Sequence, residues 1–132
     1  MPALFDKLHE LPRTLAYLLR YATWQLRRRV STDWVVNTRF GKFRILATDR
    51  VIGVILHVTR AYDTDKLAGI AAFLKSERLI PDDDDAVMVD IGANNGVIGI
   101  QAIKMGIAKR VVAIEPEPVN FDLLQGNVAY ND

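Results

Sequence analysis

The sequence predicts an α/β fold: the opening βαβ unit of a Rossmann-like, doubly wound parallel sheet, preceded by an α+β N-terminal segment. Three observations carry that expectation. Two short apolar runs, AVMVDI at 86–91 and RVVAIE at 110–115, flank the helical stretch VIGIQAIKM at 97–105, the strand–helix–strand order of a crossover unit of about 30 residues. Glycines at 92, 96 and 99 stand where the first strand gives way to the helix. Upstream, the apolar residues recur first at helical and then at two-residue spacing, so a different arrangement precedes the unit.

The chain has 132 residues, half of them hydrophobic, which suits one modest core. A formal net charge of +1 gives no reason to expect a nucleic-acid partner. The absence of cysteine excludes disulfide frameworks, thiolate nucleophiles and cysteine zinc sites, and makes a reducing cytoplasm the natural compartment. Asp6, Lys7, Glu10, Arg13 and Arg20 interrupt the N-terminal apolar residues, so neither a signal-peptide core nor a transmembrane segment of about 20 residues can be drawn there.

The first expected element is an amphipathic helix with Leu11, Leu15, Leu18, Leu19, Ala22 and Leu26 on one face and Arg27, Arg28 and Arg29 at its C-terminal tip, where cations suit the helix dipole. The expectation is that it lies on its own domain; docking to a membrane surface or a partner is the alternative. From Trp34 the period becomes two, with Trp34, Val36 and Thr38 and then Phe43, Ile45 and Ala47, giving a hairpin that turns near Phe40-Gly41-Lys42. The β-branched run VIGVILHV at 51–58 reads as a buried strand, with His57 packed inside it in a structural role. A helix follows, capped by Asp63 or Thr64, with Leu67, Ile70, Ala71 and Leu74 on one face and Pro81 beyond its end. The acidic run Asp82–Asp85 lacks the ligand spacing of a calcium loop, reads as a solvated loop, and divides a segment 1–85 from a segment 86–132.

Within 86–132 each residue type has a chemical reason. Gly92 lets the chain leave the strand in a tight turn, Gly96 lets a ligand lie against the backbone at the helix start, and Gly99 lets helix and strand pack closely. A right-handed crossover brings Asp90 and Glu115 to the same sheet edge. Glu115, 23 residues after Gly92, can accept hydrogen bonds from the two hydroxyls of a ribose. A dinucleotide fingerprint needs glycine two residues after Gly92, where this chain has Asn94, and the Asp90 carboxylate repels a pyrophosphate while suiting a cation. S-adenosylmethionine, with a sulfonium, an ammonium and a ribose but no phosphate, fits better. A nicotinamide dinucleotide is the competing ligand, and left-handed turn geometry is the ligand-free reason for Asn94 and Asn95.

The stretches VDIGANNGVIGIQAIKMG and VVAIEPEPVNFDLLQGNVAYND together resemble the opening of the FkbM-type family of S-adenosylmethionine-dependent methyltransferases, with its D-x-G-A-N-x-G loop, E-P at the second strand and asparagines along the next helix. RFGKFRILATDRVIGVILHV is more loosely similar to the segment preceding the fold in that family. The resemblance implies an O-methyltransferase of the class I, seven-stranded type. It places Asp90 and Gly92 at the amino-acid end of the cofactor, Asn94 and Gly96 around it, Glu115 on the ribose and Pro116 at the turn past the adenine. The methyl acceptor, a sugar, polyketide, lipid or peptide hydroxyl, and any catalytic base have no assignable residues here, and oligomeric state has no signal. Because the sequence ends after EPVNFDLLQGNVAYND, the sheet is expected to be truncated and the chain to be the N-terminal part of a longer protein, the alternatives being an inactive fragment or an interaction module.

Overall fold

A computed structural model describes residues 12–80 and 87–132; the acidic run, Pro81, Ala86 and Leu11 lie outside those residues. Among them the chain is a mixed α/β structure with one antiparallel and one parallel two-stranded sheet.

Helix α1 (Arg13–Arg27) begins directly after Pro12 and sends one narrow face to the core, burying Ala16 and Trp24. The leucine face does not lie on the domain as expected: Leu15, Leu18, Leu19 and Leu26 are all exposed. Helical spacing identifies an apolar face, but here the larger gain goes to burying the indole of Trp24, which meets Trp34 edge-on at 5.0 Å between ring centroids.

The hairpin of β1 (Asp33–Thr38) and β2 (Gly41–Leu46) pairs Trp34 with Ile45 and Val36 with Phe43. Val36, Phe43, Ile45 and Ala47 are buried, as the two-residue period requires. The connection is Arg39-Phe40, one residue earlier than expected, with Thr38 Oγ1 accepting the Phe40 N–H at 3.2 Å and donating to the Gly41 carbonyl at 2.8 Å.

Residues expected to form a strand at 51–58 instead form α2 (Ile52–Thr59). The Asp49 carboxylate decides it, accepting the Val51 and Gly53 N–H groups at 2.9 and 2.8 Å and so satisfying two of the donors a helix start leaves open. His57 is packed structurally, as expected, although within a helix. Its Nδ1 accepts the Trp34 indole N–H at 3.1 Å, so Nε2 holds the proton and donates to Thr23 Oγ1 at 3.0 Å, whose own hydrogen goes to the Arg20 carbonyl. Helix α3 (Thr64–Ser76) follows; Ala71 is buried, whereas Ile70 is exposed.

The expected strand–helix–strand order is present. Strand β3 (Val87–Ile91), α4 (Val97–Lys104) and β4 (Arg110–Ile114) form a unit whose strands run parallel, with Asp90 opposite Ala113 and Ile91 opposite Ile114. Gly106, in the left-handed region at φ 70°, closes α4, and the Ile107 N–H returns to the Ala102 carbonyl at 2.9 Å. Helix α5 (Pro118–Ala129) starts with proline in its first turn, and the Glu117 carboxylate accepts the Asn120 N–H at 2.7 Å. Val97 and Ile100 of α4 join Trp24, Val36, Phe43, Ile45 and Leu56 in one core. On the strand face away from that core, Val87, Val89, Ile91, Val112 and Ile114 are exposed.

Candidate functional site

The loop between β3 and α4 is built by backbone conformations that few residues adopt. Gly92, Asn94 and Gly96 all take positive φ, at 78°, 51° and 79°. The Gly92 and Ala93 N–H groups continue the sheet by donating to the Ile114 carbonyl at 2.8 and 3.0 Å, which carries the loop across the top of β4. Asn94 then turns left-handed, a conformation asparagine tolerates better than most residues, and its side-chain oxygen accepts the Asn95 N–H at 2.8 Å. The Asn95 side chain, 1% exposed, accepts the Val97 N–H at 3.3 Å and so covers the first turn of α4.

Glu115, the first residue past β4, reaches back over this loop. One carboxylate oxygen accepts the Asn94 N–H at 2.7 Å and the other accepts the Glu117 N–H at 3.0 Å. These bonds, that of Glu117 foremost, hold the Glu115 carboxyl below its ordinary range. The Asn120 side chain lowers it further, and because a carboxylate offers about four lone-pair sites, Glu115 keeps acceptor capacity beyond these partners. Glu115 is therefore both a staple for the loop and a potential acceptor beside it, and only the second role was read from the sequence.

Asp90 is half-buried against the first turn of α4, where its Oδ2 is enclosed without a hydrogen-bond partner. Burial raises its pKa first; the Gly99 amide opposes that electrostatically without reaching hydrogen-bond geometry, and the charge of Glu115 adds to the rise. Neither acid is ion-paired to a lysine or arginine among the described residues. The two carboxylates thus share one sheet edge and feel each other's charge.

The glycines at 92, 96 and 99 differ in the space around them. A Cβ on Gly99 would stand 2.9 Å from Val111 Cγ1, so glycine there lets helix and strand approach. Gly92 has open space where a Cβ would project. At Gly96 that direction is taken by Leu124 of α5, 3.2 Å away, so the open space beside the loop lies at Gly92. Pro116 is exposed beyond Glu115, next to the start of α5.

Two asparagines tie the end of the chain to β2, and the first of them also holds the loop. Asn127 on α5 is fully buried; its Oδ1 accepts the Arg44 N–H at 2.6 Å, and its Nδ2 donates to the Arg44 carbonyl at 3.3 Å and to the Asn95 carbonyl at 2.9 Å. One turn on, Asn131 repeats the pattern on Lys42, accepting its N–H at 2.9 Å and donating to its carbonyl at 2.7 Å. The two amides act as a substitute strand along the β2 edge. Their spacing of four was the available signal, although Asn131 lies in the turn just past the end of α5.

Comparison of the chain with protein-family models, with curated proteins and with solved structures gave no match.

Proposed function

We propose that this chain carries the cofactor-binding loop of an S-adenosylmethionine-dependent methyltransferase of the FkbM type, on a Rossmann-like sheet. The observation that carries the reading is the pair of unpaired carboxylates, Asp90 and Glu115, on either side of an open left-handed turn at Gly92. Their joint negative field favours a ligand with a sulfonium and an ammonium and disfavours a pyrophosphate. The unfilled space at Gly92, next to the half-buried Asp90, has room for such a group. When bound, the cofactor supplies an electrophilic methyl group for transfer to an acceptor oxygen.

The chain's own residues then bind and orient. Glu115 presents its remaining lone pairs to the two ribose hydroxyls, while its bonds to Asn94 and Glu117 keep the carboxylate from rotating away. Asn94 fixes the turn through its left-handed backbone and its own side-chain bond, beside the open space at Gly92. Pro116 stiffens the exit from β4, past which an adenine would lie. The nicotinamide reading is weaker because the Asn94 side chain occupies the position where a dinucleotide loop needs bare backbone.

The test is a calorimetric titration of S-adenosylhomocysteine into the chain and into Glu115→Gln, with circular dichroism confirming that both are folded. Saturable binding, weakened about tenfold or more in the amide variant as befits lost charge-assisted bonds, is the expected result. A folded wild-type chain that takes up no ligand, or that binds NADH in its place, overturns the proposal.

A further inference from the structure

The outward face of α1 is unusual for a helix that contributes so little to the core. Only Ala16 and Trp24 are buried, while Leu15, Leu18, Leu19, Ala22 and Leu26 form one continuous apolar stripe at spacings of three and four that points to solvent. The most exposed of them, Leu18 and Leu26, are 57% and 62% accessible, and Val30 just past the helix is 84% accessible. Such a stripe on a single helix marks an interaction surface.

Charge selects the partner. Residues 12–32 hold five arginines and no aspartate or glutamate, so the rest of the chain has 12 basic against 16 acidic residues, and this helix with the residues just past it is a basic segment. Among the described residues, Arg13 stands at one end of the stripe and Arg28 and Arg29 at the other, so cations flank the apolar face there. Tyr17 and Tyr21 are half-exposed along the same helix, where an amphipathic ring suits the boundary between water and acyl chains. No helix of the described residues is long and apolar enough to cross a membrane. An apolar stripe bounded by arginines and tyrosines on a helix of 15 residues has the form of one that lies in an interface rather than spanning it.

We infer that α1 is a peripheral docking helix for an anionic lipid surface, seating the leucine stripe among the acyl chains while Arg13, Arg28 and Arg29 meet the headgroups. The inference is independent of what the loop at Gly92 binds. It also corrects the expected orientation: the helix rests on its own domain by the Trp24 face and keeps the leucine face for a partner.

Co-sedimentation with sucrose-loaded vesicles tests it, comparing phosphatidylcholine alone with three parts phosphatidylcholine to one part phosphatidylglycerol, at low and high salt. The protein should pellet with the anionic vesicles, remain largely in solution with the neutral ones, and be released by salt. Arg28→Gln with Arg29→Gln should weaken partitioning about fivefold per charge removed. Leu18→Glu with Leu26→Glu should abolish it; both leucines face solvent, so circular dichroism and the unfolding midpoint should stay those of the wild type. Wild-type protein that stays in solution with anionic vesicles overturns the inference. So does equal binding by the leucine variant, and so does a dimer that is lost in the leucine variant while no vesicle binding is seen, which would assign the stripe to a second copy of the chain.

Discussion

Acidification from neutral to about pH 4 should remove about 3 kcal/mol of stability through His57 alone. The ring is 3% exposed, wedged between Trp24 and Trp34, and neutral because Nδ1 accepts the Trp34 N–H. Burial first, then the charges of Arg60 and Arg27, lower its pKa from 6.5 to about 4 in the folded chain. The unfolded chain therefore takes up the proton first as pH falls. The contribution is complete above pH 6.5 and is lost progressively as pH falls towards 4. At about 1.4 kcal/mol per pH unit, about 2 kcal/mol should be gone by about pH 5. Urea unfolding followed by tryptophan fluorescence reads this directly, since both indoles touch the ring. Carboxylates titrate in the same range, so the informative quantity is the difference from His57→Gln. That variant is less stable at neutral pH, and the gap to wild type should close as pH falls. Parallel losses in the two proteins between pH 7 and 5 would refute the argument.

The remaining predictions concern the helices. Gly69 sits inside α3 with nothing within 4 Å of a Cβ, so Gly69→Ala should raise stability by about 0.5–1 kcal/mol, seen as a higher thermal midpoint. Gly99→Ala should instead cost about 1–3 kcal/mol, because its Cβ would press on Val111 at 2.9 Å; combining it with Val111→Ala should give a coupling of at least about 1 kcal/mol in a double-mutant cycle on urea midpoints. Asn127→Asp keeps the bond from the Arg44 N–H but sets a carboxylate oxygen against the Arg44 and Asn95 carbonyls, which should cost about 2–5 kcal/mol at neutral pH by the same measurement.

What could be read in advance follows from how local each signal is. The inward residues of the hairpin and the order β3–α4–β4 were legible because alternation and glycine spacing are properties of neighbouring residues. Helix α2 was misread since β-branched residues dominate Val51–Val58, and only the Asp49 carboxylate, two residues ahead of the run, marked it as a helix. The outward turn of the leucines of α1 was illegible, because periodicity does not say which face the core will take once Trp24 competes for it. Glu115 was read as a candidate ribose acceptor, whereas its hold on the Asn94 N–H was illegible because it depends on a loop folding back across 21 residues. Asn127 and Asn131 acquire their role only when α5 lies along β2, a contact more than 80 residues apart in sequence.

Those long-range contacts also explain why an unusual turn can persist. A left-handed asparagine costs backbone energy that the flanking left-handed glycines do not, and such a conformation survives only where its surroundings over-determine it. Here the surroundings act from two sides. Glu115 holds the Asn94 amide from the strand β4, and Asn127 holds the Asn95 carbonyl from the helix α5, so adjacent residues of the loop are tethered to different elements. Asn127 is itself anchored to the backbone of Arg44, which ties the loop's position to the hairpin. The shape of the loop at Gly92 is thus set by parts of the chain distant in sequence. Changes along the β2 edge should reach the site through Asn127, whereas substitutions on the exposed outer faces of β3 and β4 should leave it unmoved.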